Sequence, residues 1–184
     1  PRSRGLGDVY KRQNISSNRV YNLSTLSTNT SLSSTATAVF GISLAGSTNA
    51  GPVVSNNVIY NISASNNSAI TSNASGLLVQ SGNAVSVLNN RIYDIRNLST
   101  SNAANPMPTA NGVVLFNVVN FVDVVNNQIT LGNNQSNNVQ FNGIWMPTSS
   151  SFDVNAYYNT VLITGSATSG SLSSYAFHLS LIHI

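Results

Sequence analysis

Apolar residues in this chain come in short runs of four to six, rich in Val, Ile, Phe and Tyr and separated by Gly, Asn and Ser. No window carries the 3.6-residue period of a helix, and runs of this length and composition read as strands. The runs also recur. NRVYNL at Asn18, NNVIYNI with its second Asn at Asn57, NNRIYDI at Asn90, NNQITL at Asn127 and YNTVLI at Asn159 share one pattern, at intervals of 39, 33, 37 and 32 residues. A second string follows in the same order, apolar around a small residue: VFGISL at Gly41, SGLLVQ at Gly76, NGVVLF at Gly112, NGIWM at Gly143 and YAFHL at Ala176. A third segment, GPVVS, AVSVL, FVDVV and FDVNAYY in turn, lies before the next Asn.

Three short strands in each such repeat predict one turn of a solenoid, whose strands pair in parallel with those of the next turn about 4.8 Å away. Stacking buries what one repeat cannot bury alone. The expected fold is all-β, a parallel solenoid of about five coils with negligible helix. Two residues after each Asn the side chain is β-branched (Val20, Ile59, Ile92, Ile129, Val161) and is expected to point inward, with the next residue pointing out. The Asn itself is expected at a sharp corner in a left-handed conformation, which Asn tolerates. Asn57, Asn90, Asn127 and Asn159 are expected to stack as a structural ladder of amides, hydrogen-bonded from coil to coil. The long polar stretches 24–38, 63–74, 96–110, 132–140 and 164–174 all follow the first strand of their repeat and should emerge along one edge.

The Asn-x-Ile corner, the Gly-Ile strand and the three-strand coil resemble the right-handed parallel β-helix of the pectate-lyase-type superfamily, over residues 14–179 and truncated at both ends. More narrowly, the VNNxIYNI and VxYNTV patterns are similar to repeat regions of large secreted surface proteins of Bacteroidota, which often end in a type IX secretion sorting domain. That resemblance implies adjoining coils in a longer chain. A solenoid cut mid-stack exposes unpaired strand edges, so the isolated chain is expected to aggregate.

Composition sharpens this picture. The 184 residues include 41% hydrophobic ones, enough for a core, but only 6% charged, so Asn, Ser and Thr must keep the surface wet; this points to an extracellular or cell-surface location. The formal charge of +3 is a property of the head: Arg2, Arg4, Lys11 and Arg12, offset by Asp8, precede Gln13, and beyond it Arg19, Arg91 and Arg96 are balanced by Asp94, Asp123 and Asp153. Residues 1–13 and 180–184 resemble translated sequencing-adapter DNA and are set apart from the fold as non-native tails. Neither a nucleic-acid partner nor membrane insertion is expected, because no basic patch belongs to the body and no apolar run nears ~20 residues. Without cysteine there is no disulfide or thiolate site.

Chemistry is sparse. Glycoside hydrolysis needs two carboxyls about 5 to 10 Å apart, and the repeats offer only Asp94, Asp123 and Asp153. Asp123 and Asp153 precede successive corners by four and six residues, which leaves their alignment open. Asp94 replaces Asn22 and Asn61 in the repeat and reads as a turn residue. No catalytic residue, metal site or cofactor is predicted. Tyr21, Tyr60 and Tyr93 share one outward position and form a candidate aromatic stripe for sugar rings, although cross-strand packing also accounts for them. Trp145 is a candidate sugar platform or a half-buried strand residue before Pro147. The expectation is a non-catalytic structural or adhesive segment with weak contact to polysaccharide or cell-surface glycan. The alternative is a set of flanking coils of a carbohydrate-active lyase or hydrolase.

Overall fold

The computed structural model describes residues 13–26, 39–45, 51–65, 72–100, 108–147, 152–165 and 172–179. Residues 1–12 and 180–184, the tails set apart in the sequence, lie outside the described residues, as do the tips of most of the polar insertions. The described chain contains fifteen strands and no helix. Strands β1 (Asn14–Ser16), β2 (Arg19–Thr25) and β3 (Val39–Leu44) trace the first coil, and β4 (Val53–Ser55), β5 (Val58–Ala64) and β6 (Asn73–Val79) the second. The third holds β7 (Gly82–Leu88), β8 (Arg91–Asn97) and β9 (Thr109–Leu115); the fourth β10 (Val118–Val125), β11 (Gln128–Leu131) and β12 (Gln140–Met146). β13 (Phe152–Tyr157), β14 (Thr160–Ile163) and β15 (Tyr175–Leu179) follow.

Every third strand joins the same sheet. Sheet I is ordered β1-β4-β7-β10-β13, sheet II β2-β5-β8-β11-β14 and sheet III β3-β6-β9-β12-β15, with all neighbours parallel. The chain therefore makes four full turns from β1 to β13 and places five strands in each sheet. This is the three-strand β-solenoid that the repeat predicts.

Its core is a set of columns. Val54, Val87 and Val124 pair in register in sheet I, Ile59, Ile92 and Ile129 in sheet II, and Leu77, Val113 and Ile144 in sheet III; none is more than 2% exposed. Each contributes about 1.5–3 kcal/mol of burial. Val20 and Val161, at the same position in the outermost coils, pack against this core while only partly buried. A second kind of column runs through Gly41, Gly76, Gly112 and Gly143. A Cβ on Gly112 would lie 2.5 Å from the Gly143 carbonyl oxygen and 2.5 Å from Ile129 Cγ2, so sheet III can approach sheet II only where no side chain stands.

At the corner between sheets I and II the structure corrects one expectation. Positive φ belongs to the residue before the ladder Asn: Ser17 (59°), Asn56 (56°), Asn89 (56°), Asn126 (55°) and Tyr158 (58°). The corner takes two residues; the first turns the backbone with its side chain outside, leaving the second free to direct its amide inward. A second left-handed position interrupts sheet II at Asn22 (60°), Asn61 (54°) and Asp94 (57°), so Asp94 is the turn residue its place in the repeat implied. β11 lacks this extra residue, and Thr130 and Leu131 pair with Tyr93 and Ile95, skipping Asp94.

All five polar insertions connect sheet II to sheet III, along the one edge expected. The described roots of the second, third and fourth are tied together through buried Asn97, whose Nδ2 donates to Ser72 O (2.5 Å) and Thr109 O (2.9 Å). From the next coil, Gln135 Nε2 and Asn137 Nδ2 both donate to Asn97 O.

Candidate functional site

The ladder asparagines are hydrogen-bonded from coil to coil throughout the stack. Each amide oxygen accepts two bonds from the coil before it, one from the backbone N–H and one from Nδ2 of the preceding ladder residue. Asn57 Oδ1 receives them from Asn18 (2.9 and 3.0 Å), Asn90 Oδ1 from Asn57 (both 3.0 Å), Asn127 Oδ1 from Asn90 (2.9 and 3.0 Å) and Asn159 Oδ1 from Asn127 (both 3.0 Å). The remaining Nδ2 hydrogen returns to a backbone carbonyl one coil back: Ile15, Val54, Val87 and Val124, at 2.9, 2.9, 2.9 and 2.7 Å. An amide offers two donors and two lone pairs, and within the stack all four are used. At Asn57, Asn90 and Asn127 no capacity is left for a ligand, so these residues serve the stack.

Outside the corner, Tyr21, Tyr60 and Tyr93 stand on β2, β5 and β8 at the position after the inward β-branched residue, and the parallel register aligns them. Their ring centroids are 5.0 and 4.9 Å apart with planes within 4° of parallel, the spacing of the strands that carry them. Arg19 Nε donates to Tyr60 Oη at 3.2 Å, and its guanidinium lies 5.7 and 5.2 Å from the Tyr21 and Tyr60 centroids. Because the rings face one another, inside the stack only edges and hydroxyls are offered outward. An internal ring of this row cannot serve as a flat sugar platform; only a ring at the end of the stack has a face to give.

The stack ends at Tyr93. Thr130 pairs with Tyr93 in β11, and Leu162 follows in β14. Where the ladder stops, a notch of about 280 Å³ opens, lined by Arg91, Ile92, Tyr93, Asp94, Gln128, Thr130 and Asn133. A larger hollow of about 400 Å³ is the interior of the solenoid itself at the β13–β15 end, walled by Ile144, Ala156, Val161 and Ala176 among others.

Trp145 lies elsewhere, on the face of sheet III away from the core, paired in register with Val114 and His178. It is partly buried and stacks on His178 with centroids 5.9 Å apart and planes at 11°; Tyr175 stacks on the same imidazole at 4.3 Å. Its buried Nε1 has no hydrogen-bond partner. Beside it runs a polar row that motif reading missed. His178 Nδ1 is 3.0 Å from Asn142 Oδ1, which also accepts from Gln140 Nε2 at 3.1 Å; Asn142 Nδ2 donates to Asn111 Oδ1 at 2.9 Å, and Asn111 Nδ2 to Ser75 Oγ at 3.1 Å. The same Nδ1 also lies 3.4 Å from Gln140 Nε2, so it faces one acceptor and one donor, and its role follows the tautomer of the ring. Burial lowers the His178 pKa below 6.5. Ser75, Asn111 and Asn142 are fully buried, so this row is a second internal ladder that reaches partial exposure only at His178 and Trp145. Its signal was present in the sequence: a polar residue immediately precedes the glycine in SGLLVQ, NGVVLF and NGIWM.

The carboxylates do not converge. Asp153 pairs in register with Phe121, and Asp123 with Asn155, whose Nδ2 donates to Asp123 Oδ1 at 2.9 Å. Asp94 forms an ion pair with Arg96 at 2.5 Å on the other side of the corner. Among the described residues, no three of His, Cys, Asp or Glu are grouped to hold a metal ion. The site residues are thus divided: the tyrosines share one surface on sheet II, Trp145 stands on sheet III, and the ladder lies between sheets I and II. Comparison with family models, with curated proteins and with solved structures finds no match to this chain.

Proposed function

We propose that this chain is a non-catalytic structural or adhesive segment of a large extracellular or cell-surface protein, a stack of coils that spaces other elements and meets glycans weakly through its outer faces. The observation that carries this reading is the use to which polar side chains are put. Asn, Ser and Thr repeat from coil to coil and bond mainly to their own counterparts, as in the outer pairs Asn22–Asn61 (2.6 Å), Asn83–Asn120 (2.6 Å) and Asn89–Asn126 (2.8 Å), while Asp123 and Asp153 fall out of register with one another. Polar groups arranged as ladders stabilise a rod; catalysis needs them to converge on one reacting bond. Adjoining coils, membership of the pectate-lyase-type superfamily and an origin among Bacteroidota surface proteins belong to the same proposal, supported by the repeat motifs and the charge-poor composition.

The second reading is that these are flanking coils of a carbohydrate-active lyase or hydrolase, and the Trp145–His178 pair at the open end of the polar row on sheet III favours it. One experiment separates the two. The purified chain is incubated with a panel of immobilised polysaccharides, and both retention and the release of new reducing or unsaturated ends are measured. Retention without release is expected; release that disappears in His178→Ala would replace the adhesive reading with the enzymatic one.

A further inference from the structure

Two outward ladders stop at the same place on sheet II. The tyrosine stack ends because Thr130 occupies the position after Tyr93, and the Asn22, Asn61, Asp94 series of left-handed residues ends because β11 lacks the extra residue. Tyr93 therefore has no aromatic partner on its β11 side, and Asp94 has no counterpart beneath it in β11. The notch of about 280 Å³ is the consequence of this double termination.

We propose that this notch is a subsite for a single sugar ring. A pyranose presents a C–H face that packs against an aromatic ring and a rim of hydroxyls that need both donors and acceptors, and the lining supplies each kind. Tyr93 gives the aromatic surface, Asp94 the acceptor, and Arg91, Gln128, Asn133 and Thr130 polar groups around the rim. The guanidinium of Arg91 lies over the Tyr93 ring, 5.1 Å from its centroid, and forms a wall of the same notch with it. A volume just under the ~300–1,000 Å³ of sites for drug-sized ligands admits one residue of a glycan and not an extended chain.

The proposal rests on the glycan-contact reading given above, and the test keeps the two apart. Methyl glycosides of glucose, galactose, mannose and N-acetylglucosamine are titrated into the full chain by saturation-transfer NMR, and retention on immobilised polysaccharide is measured in parallel. At least one glycoside binds, with millimolar affinity. Thr130→Tyr extends the tyrosine stack into the notch; it weakens that binding at least tenfold while leaving the melting temperature equal or higher. Failure of every methyl glycoside to bind, or undiminished binding by Thr130→Tyr, overturns the subsite. If polysaccharide retention persists in either of those cases, the adhesive reading stands without the notch. If retention is also absent, both fall.

Discussion

Asn90 gives both lone pairs of its Oδ1 to Asn57, one to the backbone N–H and one to Nδ2, each at 3.0 Å. Its own Nδ2 is shared between Asn127 Oδ1 and Val54 O. Asn90→Ala therefore orphans two donors of buried Asn57 and the Val54 carbonyl together. With about 1–3 kcal/mol lost for each buried group left unsatisfied, the variant is expected to lose at least about 3 kcal/mol by urea denaturation. Asn22→Ala, which removes only an exposed bond to Asn61 at a left-handed position, is expected to cost about 1 kcal/mol or less. Equal losses in the two variants would show that the inner ladder has no special place in stability.

Gly112 has no positive φ to explain it; it is glycine for lack of room, with the Gly143 carbonyl oxygen 2.5 Å from where a Cβ would stand. Backbone of a neighbouring coil cannot swing aside as a side chain can. Gly112→Ala is expected to cost about 1–3 kcal/mol, the range for overpacking a close-packed interior. Thermal melting checks this, and an unchanged midpoint would mean that the coils can separate locally without penalty.

His178 sets a pH dependence. Burial holds its folded pKa below the ordinary 6.5, so the unfolded chain takes up the proton first as pH falls. Its contribution to stability is fully present above about pH 6.5 and is lost as pH drops through the lower folded value. The melting temperature is expected to decline over that interval. His178→Gln, which keeps a polar side chain beside Asn142 Oδ1 but does not titrate, should flatten that part of the profile. A slope identical to the parent's would place the titrating group elsewhere.

Periodicity made much of this molecule legible before any coordinate. In a stacked solenoid the spatial neighbours of a residue are its counterparts one repeat away, so aligning the Asn-x-Ile strings already aligned Ile59 with Ile92 and Ile129, stacked Tyr21, Tyr60 and Tyr93, and put all five insertions on one edge. What the repeat left open are the places where strict repetition breaks or two neighbours look alike. In Asn56-Asn57, Asn89-Asn90 and Asn126-Asn127 either residue could turn the corner; only three-dimensional packing assigns the left-handed φ to the first and burial to the second. Asp123 and Asp153 missed each other because their register is set by hydrogen bonds between strands, through which Asp123 meets Asn155. The notch under Tyr93 likewise depends on one residue missing from β11, which shifts pairing between Thr130 and Leu131. By itself, then, the sequence determined the coil, its columns and its insertion edge, because those follow from recurrence. The tertiary structure decided which amide is buried and where the tyrosine stack ends, because these depend on how backbone pairing and close packing accommodate the irregular residues.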